Sequence, residues 1–468
     1  MVSAAIDATI SAEKTVARQI GTRLATAVLL IEGFVSVSIQ MIVIRQLVPV
    51  VGHSINVTSI VITTFLAALA FGYRSGGRLR GDARRTLRRN LITVAFLSAI
   101  GLSFWLIELV FGIYFALFSN VLVGVALYSL LFLVPIVFLL AQTVVLLIEC
   151  RQGEGAAEQA GDTFHLSTIG NVIGGLVTTL IVMYYLGIAA AVFINVSLLI
   201  LAYLLVVVNT TATNAMIAAG VMLVALMFNV VAERESFLTT TAHGNYAIVE
   251  ASNGDGRYLI VNGQNASHSD KAGMGHPYIE WFEDQLFESP SKPSELLVLG
   301  AGGFTLGQGR EYSGATTFVD VDEQLADIAD EFLSPRRRDG VFVADDARSF
   351  LLRTNSRYDA IVVDTYSHRS SMPPHLMTIE FFTLVRHKLK PNGTAYMNII
   401  SSDDETFFFG RGIDNTIRSV FANCVVHRIN TPDVALYNKL YRCQPSALDE
   451  YRAIYTDGNT RSATDASP

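Results

Sequence analysis

The run "AIVVDTYSHR" carries an apolar stretch up to Asp364 and follows it with Ser367, His368 and Arg369. A carboxylate at the end of a buried strand can take a proton from an attacking nucleophile. His368, whose imidazole ordinarily titrates at about 6.5, is a second candidate base. Arg369 beside Asp364 would favour the charged carboxylate and so weaken it as a base. Related features lie upstream. In "LGAGGFTLGQG", Gly300, Gly302 and Gly303 let the backbone approach a ligand just ahead of a helix N-terminus. "TTFVDVD" ends on Asp320 and Asp322, where a carboxylate can hold a sugar diol by two hydrogen bonds. "VFVADD" ends on Asp345 and Asp346. Each acid alone could be a helix N-cap or a turn residue. Together with the glycine turn, they read as one ligand site at the strand ends, with a carboxylate placed for a sugar diol.

Such a set needs a scaffold that brings strand ends together. From residue 291 to 447 the chain alternates short apolar runs with segments of helical period: "ELLVLG", "TTFVDVD", "VFVADD", "DAIVVD" and "TAYMNII", separated by stretches such as "EQLADIADEFL" and "TIEFFTLVRHKL". This pattern predicts a parallel, doubly wound α/β sheet, whose ligands bind at the carboxyl ends of its strands. "CVVHRI" and "ALYNKLYRC" predict an antiparallel pair at one edge. Residues 240–290 predict a small β subdomain, with a hairpin around "NGDG". Residues 448–468 are a polar tail.

The first half differs in kind. The chain of 468 residues is 51% hydrophobic and 16% charged, and the excess of apolar residues falls between 22 and 231. After a polar segment, 1–21, about seven stretches reach the ~20 residues that cross a bilayer. They lie near 23–46, 54–73, 91–114, 120–148, 165–187, 189–208 and 214–231. Seven arginines within residues 74–89 mark a cytoplasmic loop. Seven crossings would then place the C-terminal domain outside, in tension with a ligand made in the cytosol. The expected location is therefore the inner cell membrane, multi-pass, with the side of the soluble domain open. Polar residues at depth, namely Glu32, Gln40, Arg45, Glu108, His165 and Asn171, are candidates for function or for interhelical bonding, with Gly170, Gly174 and Gly175 allowing close packing. A net charge of −7 gives no footprint for nucleic acid. Cys150, Cys424 and Cys443 show neither metal-ligand spacing nor a disulfide framework, so free thiols and no metal are expected.

The order "VLGAGG…FVDVD…ADDARSFL…YDAIVVDTYS…LMTIEFF…LKPNGTAYMNI" resembles the polyamine aminopropyltransferases, the spermidine synthase family, over about residues 240–445. The front half is similar to the membrane region of fused, membrane-bound members. The resemblance implies a class I methyltransferase-like Rossmann domain and decarboxylated S-adenosylmethionine as aminopropyl donor to an amine. By the same resemblance Gly300, Gly302 and Gly303 form the nucleoside turn and Asp320 holds the ribose. Asp346 with Ala347 reads the adenine, and Asp345 sits beside them. Asp364 deprotonates the amine, and His276 and Ser367 line the acceptor side. The chain also departs from the family pattern. Gly303 stands for an Asp, Ser367 for the second Asp of D-x-x-D, Gly275 and Pro277 for the Tyr and Glu around His276, and Asn262 for the Asp of L-D-G. Fewer acids suit a diamine dication poorly. Two alternatives therefore stay open: methyl transfer from S-adenosylmethionine, and a non-catalytic nucleoside- or polyamine-sensing or transport-associated role. The expected partners are the bilayer, a nucleoside donor and an amine acceptor, with room for a homodimer through the soluble domain.

Overall fold

The computed structural model describes residues 21–51, 55–118, 120–150, 156–207, 211–241, 243–288, 292–308, 310, 312–333, 340–366, 372–401, 408–430, 437–445 and 455–458. The chain divides into a helical unit ending at Ser236 and a second unit from Phe237 onward.

The helical unit begins with α1 (Thr22–Val51), α2 (Ile55–Gly76), α3 (Ala83–Gly101) and α4 (Phe104–Leu117). It continues with α5 (Val121–Tyr128), α6 (Val134–Cys150), α7 (Ala156–Val177), α8 (Met183–Val206), α9 (Ala212–Ala225) and α10 (Ala232–Ser236). Single π-helical turns at Ser129–Leu133, Thr178–Val182 and Leu226–Val231 join α5 to α6, α7 to α8 and α9 to α10. Among the described residues five helices are long and apolar enough to cross a membrane, or six when the bent pair α3–α4 counts as one. Two details differ from the seven stretches. The stretch 91–114 is broken at Leu102–Ser103, where the Ser103 side chain caps α4 and the axis turns by 65°. The stretches 165–187 and 189–208 belong to one run, Ala157–Val206, of 50 residues. At ~1.5 Å per residue such a run is about two and a half times a bilayer core. Gly187, with φ 80 and ψ 179, interrupts it.

Glycine sets the tightest crossing. A Cβ on Gly33 would lie 2.0 Å from the Ser167 carbonyl oxygen, and one on Gly174 would lie 2.1 Å from that of Phe34. So α1 and α7 meet backbone to backbone. Beside this crossing Ser167 donates to the buried Glu32 at 2.8 Å. Further along, Asn195 donates to Ser38 at 2.7 Å and Ser38 bonds Thr178 at 2.6 Å. Gln40 and Arg45 are also buried, whereas Glu108 and His165 are exposed. Outward positions carry Leu66, Phe71, Trp105, Leu180 and Leu186.

The second unit opens with a four-stranded antiparallel sheet of β1 (Thr239–Thr240), β2 (Asn245–Glu250), β3 (Arg257–Val261) and β4 (Gln264–Ser269). Asn262 and Gly263, with φ 54 and 74, make the tight β3–β4 turn. Then come α11 (Pro277–Phe287), β5 (Glu295–Leu299), β6 (Ala315–Asp320), α12 (Leu325–Ile328), β7 (Val341–Ala344), α13 (Ala347–Arg353) and β8 (Tyr358–Val363). The unit continues with α14 (Ile379–Lys388), β9 (Leu389–Ser401), α15 (Phe408–Arg418), β10 (Asn423–Asn430) and β11 (Tyr437–Gln444).

The large sheet runs β10-β11-β9-β8-β5-β6-β7, with β5 to β9 parallel and β10 and β11 antiparallel at the edge. Burial on both faces explains the unbroken apolar runs. Leu297, Leu299, Ile361 and Val363 pack with Phe381, Phe382 and Ile413 on one side. Leu296, Val298 and Val362 pack with Phe282, Leu286 and Phe304 on the other. Contrary to the expectation of free thiols, Cys424 and Cys443 form a disulfide. They are cross-strand partners in the β10–β11 register, a proximity that their separation of 19 residues does not reveal. Among the described residues no group of three metal-ligating side chains occurs.

Candidate active site

The order of strands reverses at β5, which pairs with β6 on one side and β8 on the other. The chain enters the crevice there through Gly300, whose φ is 87. Its N–H donates to Val319 at 2.9 Å, and Asp364 N–H donates to Leu299 at 2.8 Å. A Cβ on Gly300 would lie 2.1 Å from the Asp364 carbonyl oxygen, so only glycine lets the two strand ends meet. The side chain of Asp320 folds over this turn and accepts from Ala301 N–H at 3.0 Å. Burial raises its pKa above the usual aspartate value. Asp345 N–H donates to the Asp320 carbonyl at 2.8 Å, which carries the series to the end of β7.

Asp364 is partly exposed. Its Oδ1 accepts from Asn398 Nδ2 at 2.9 Å, and the Tyr278 hydroxyl also bonds the carboxylate. Desolvation outweighs both bonds and pushes the pKa up to about 6. The group is thus a carboxylate at neutral pH that can still take a proton. Tyr278 is held well above its ordinary value, by burial first and then by Asp364, so it remains a hydroxyl donor.

The other predicted residues fall as follows. Asp346 caps α13, accepting from Ser349 N–H at 2.9 Å, and its second oxygen meets His375 Nε2 at 2.9 Å. The His375 bond, ahead of the cost of burial, lowers Asp346 to about 2. Ala347 is buried in the first turn of α13. Asp345 is ion-paired with Arg353. Asp322 is buried beneath the turn, where Thr241 and Tyr246 donate to Oδ2 at 2.5 and 2.7 Å, pinning the small sheet to the large one. Gly302 has φ 51, and Gly303 N–H donates to Ser267 Oγ at 2.8 Å. A Cβ on Gly303 would lie 2.1 Å from Leu333 Cδ2, so a side chain there needs the leucine to shift. Phe304 follows with φ 54, and its ring is buried against Phe318 and Phe342. His276 caps the entry to α11, with Nε2 3.1 Å from Asn265 Oδ1. Burial, then His268, depresses it to about 4, so it is neutral at physiological pH. Ser367, His368 and Arg369 lie outside the described residues.

Gly300, Asp320 and Asp364 lie together at this strand switch, and Gly302 and Gly303 follow in the same turn against Ser267. Asp345 and Asp346 extend the site along the neighbouring strand, and His276 joins it through Tyr278. Sequence reading missed Tyr278, Asn398, His268, Asn265 and His375. Only Asn398 leaves a signal, as the single amide within the apolar run "AYMNII".

Residues 280–441 match the spermine/spermidine synthase domain. The chain is 27% identical over 166 residues to a probable polyamine aminopropyl transferase of Bifidobacterium longum, covering 35% of this chain and 37% of that one. It is 26% identical over 202 residues to polyamine aminopropyltransferase 2 of Pseudomonas aeruginosa, covering 40% and 56%. The chain thus spans between about a third and just over half of these relatives. Among solved structures, a probable spermidine synthase from Corynebacterium glutamicum aligns with a TM-score of 0.39 at 20% identity, over 47% of this chain and 84% of that one. Human methyltransferase-like protein 13 in complex with SAH aligns with a TM-score of 0.29 at 21% identity, over 39% and 83%.

Proposed function

We propose that the second unit transfers an aminopropyl group from decarboxylated S-adenosylmethionine to an amine, and that the helical unit holds it in the inner cell membrane. The observation that carries the reading is Asp364, a partly buried carboxylate raised to about 6 at the strand switch of a spermidine-synthase-type domain. In this reaction the amine nitrogen attacks the carbon attached to the sulfonium. A C–N bond forms, the C–S bond breaks with its electrons going to sulfur, and a neutral thioether nucleoside leaves. The new ammonium gives its proton to Asp364. Asn398 and Tyr278 hold the carboxylate in place for that transfer. Asp320, steadied by Ala301 N–H, would take the ribose hydroxyls beside the glycine turn, and Asp346 would face the adenine.

A second reading, methyl transfer from S-adenosylmethionine, is favoured by Gly303. Its missing carboxylate removes both a partner for the aminopropyl ammonium and a repulsion against the amino-acid carboxylate. Calorimetry on the full chain in detergent, with each sulfonium compound, separates the two. Tighter binding of the decarboxylated donor is expected. Preference for intact S-adenosylmethionine would install methyl transfer, and binding of neither would leave a non-catalytic role.

A further inference from the structure

Asp364 stands at the end of a row of rings. Tyr258 and His268 are cross-strand partners on β3 and β4, with ring centroids 4.5 Å apart. His268 lies 5.8 Å from His276, and His276 stacks on Tyr278 at 5.9 Å with an interplanar angle of 18°. The Tyr278 hydroxyl then bonds Asp364. All four residues are partly exposed, and Tyr278 also packs against the core.

The charge along this row is low. His276 is neutral at physiological pH and Tyr278 keeps its proton. Asp270, just past β4, spends Oδ1 on the amides of Ala272 and Met274. Glu280 makes no ion pair or hydrogen bond with a ring of the row. Among the described residues of the row, Asp364 is the one carboxylate in contact with it. A diamine laid along the row would neutralise one ammonium at Asp364 and, among the described residues, set the second against the rings. An apolar or aromatic stem would instead stack on those rings, and the ring faces would attract the single ammonium as it approaches Asp364.

We infer that the acceptor is a primary monoamine with a flat or apolar stem, seated on Tyr258, His268, His276 and Tyr278 with its nitrogen at Asp364. This rests on the aminopropyl-transfer reading and narrows it; the bond changes are those given above. The test measures thioether-nucleoside release from decarboxylated S-adenosylmethionine by the full chain in detergent, with 2-phenylethylamine or butane-1,4-diamine as acceptor. A kcat/KM at least about tenfold higher for 2-phenylethylamine is expected, the scale of one or two ring contacts to a cation. Equal or better use of the diamine overturns the inference and leaves aminopropyl transfer standing. If neither amine drives release, calorimetry decides: donor binding overturns this inference alone, whereas no donor binding overturns the transfer reading with it. A second variant guards against a trivial result. His268→Glu adds a carboxylate to the row and should shift the ratio of kcat/KM toward the diamine by about tenfold. An unchanged ratio in a folded variant that still binds donor also overturns the inference.

Discussion

Asp364 separates position from protonation. Its carboxylate is fixed by Asn398 and Tyr278, while burial sets its pKa at about 6. A base must be ionised to work, so kcat/KM should rise with pH through about 6 and level off above it. A limb near 4 would mean that Asp364 is solvated in the working protein. Asp364→Asn keeps the shape and removes the proton acceptor. Loss of roughly 10²-fold or more in kcat is expected from the usual size of general-base effects. Wild-type turnover in that variant would remove Asp364 from the chemistry. Asp320 and Asp364 were legible because an apolar run that ends on an acid marks a strand end. Tyr278 was not, because what matters is its reach across the fold to Asp364, and nothing local encodes that. Asp346 was legible as a strand-end acid, but its bond to His375 depends on a loop that returns 29 residues later.

At the scale of elements, the glycine turn contains a conflict that the sequence hides. Phe304 holds φ 54, a conformation that costs a bulky residue ~1–3 kcal/mol, yet its ring is buried between Phe318 and Phe342. Truncating a buried Phe costs roughly 3–5 kcal/mol, so packing wins and the strain is tolerated. Phe304→Ala loses the packing and keeps most of the strain, whereas Phe304→Gly loses the packing and relieves it. Both should lower the melting temperature of the full chain, with Ala lower than Gly. The reverse order would show that the turn is unstrained. The alternation of strands and helices made the large sheet readable because each parallel strand is buried on both faces. The break at Leu102–Ser103 was unreadable for the opposite reason. Neither residue is a strong helix breaker, and the bend comes with a serine cap inside an otherwise apolar stretch.

For the whole molecule, the disulfide bears on where the second unit lives. A bond between Cys424 and Cys443 persists in an oxidising compartment and is reduced in a cytosol. Alkylation of the denatured chain after rapid quenching of cells should therefore modify Cys150 alone, and all three cysteines after reduction. Three modified cysteines without reductant would place these strands on the reducing side. The outcome also decides whether a donor made in the cytosol reaches the site directly.

Where α1 and α7 cross at Gly33 and Gly174, a single added methyl group would overlap a carbonyl of the facing helix. No lipid tail or water file can pass through that seam, and neither helix can slide along the other without separating from it. If the bundle changes shape during its work, this pair travels as one piece. The bending must then fall elsewhere, at the looser π-helical turns and at Gly187, and those are the places to look for motion.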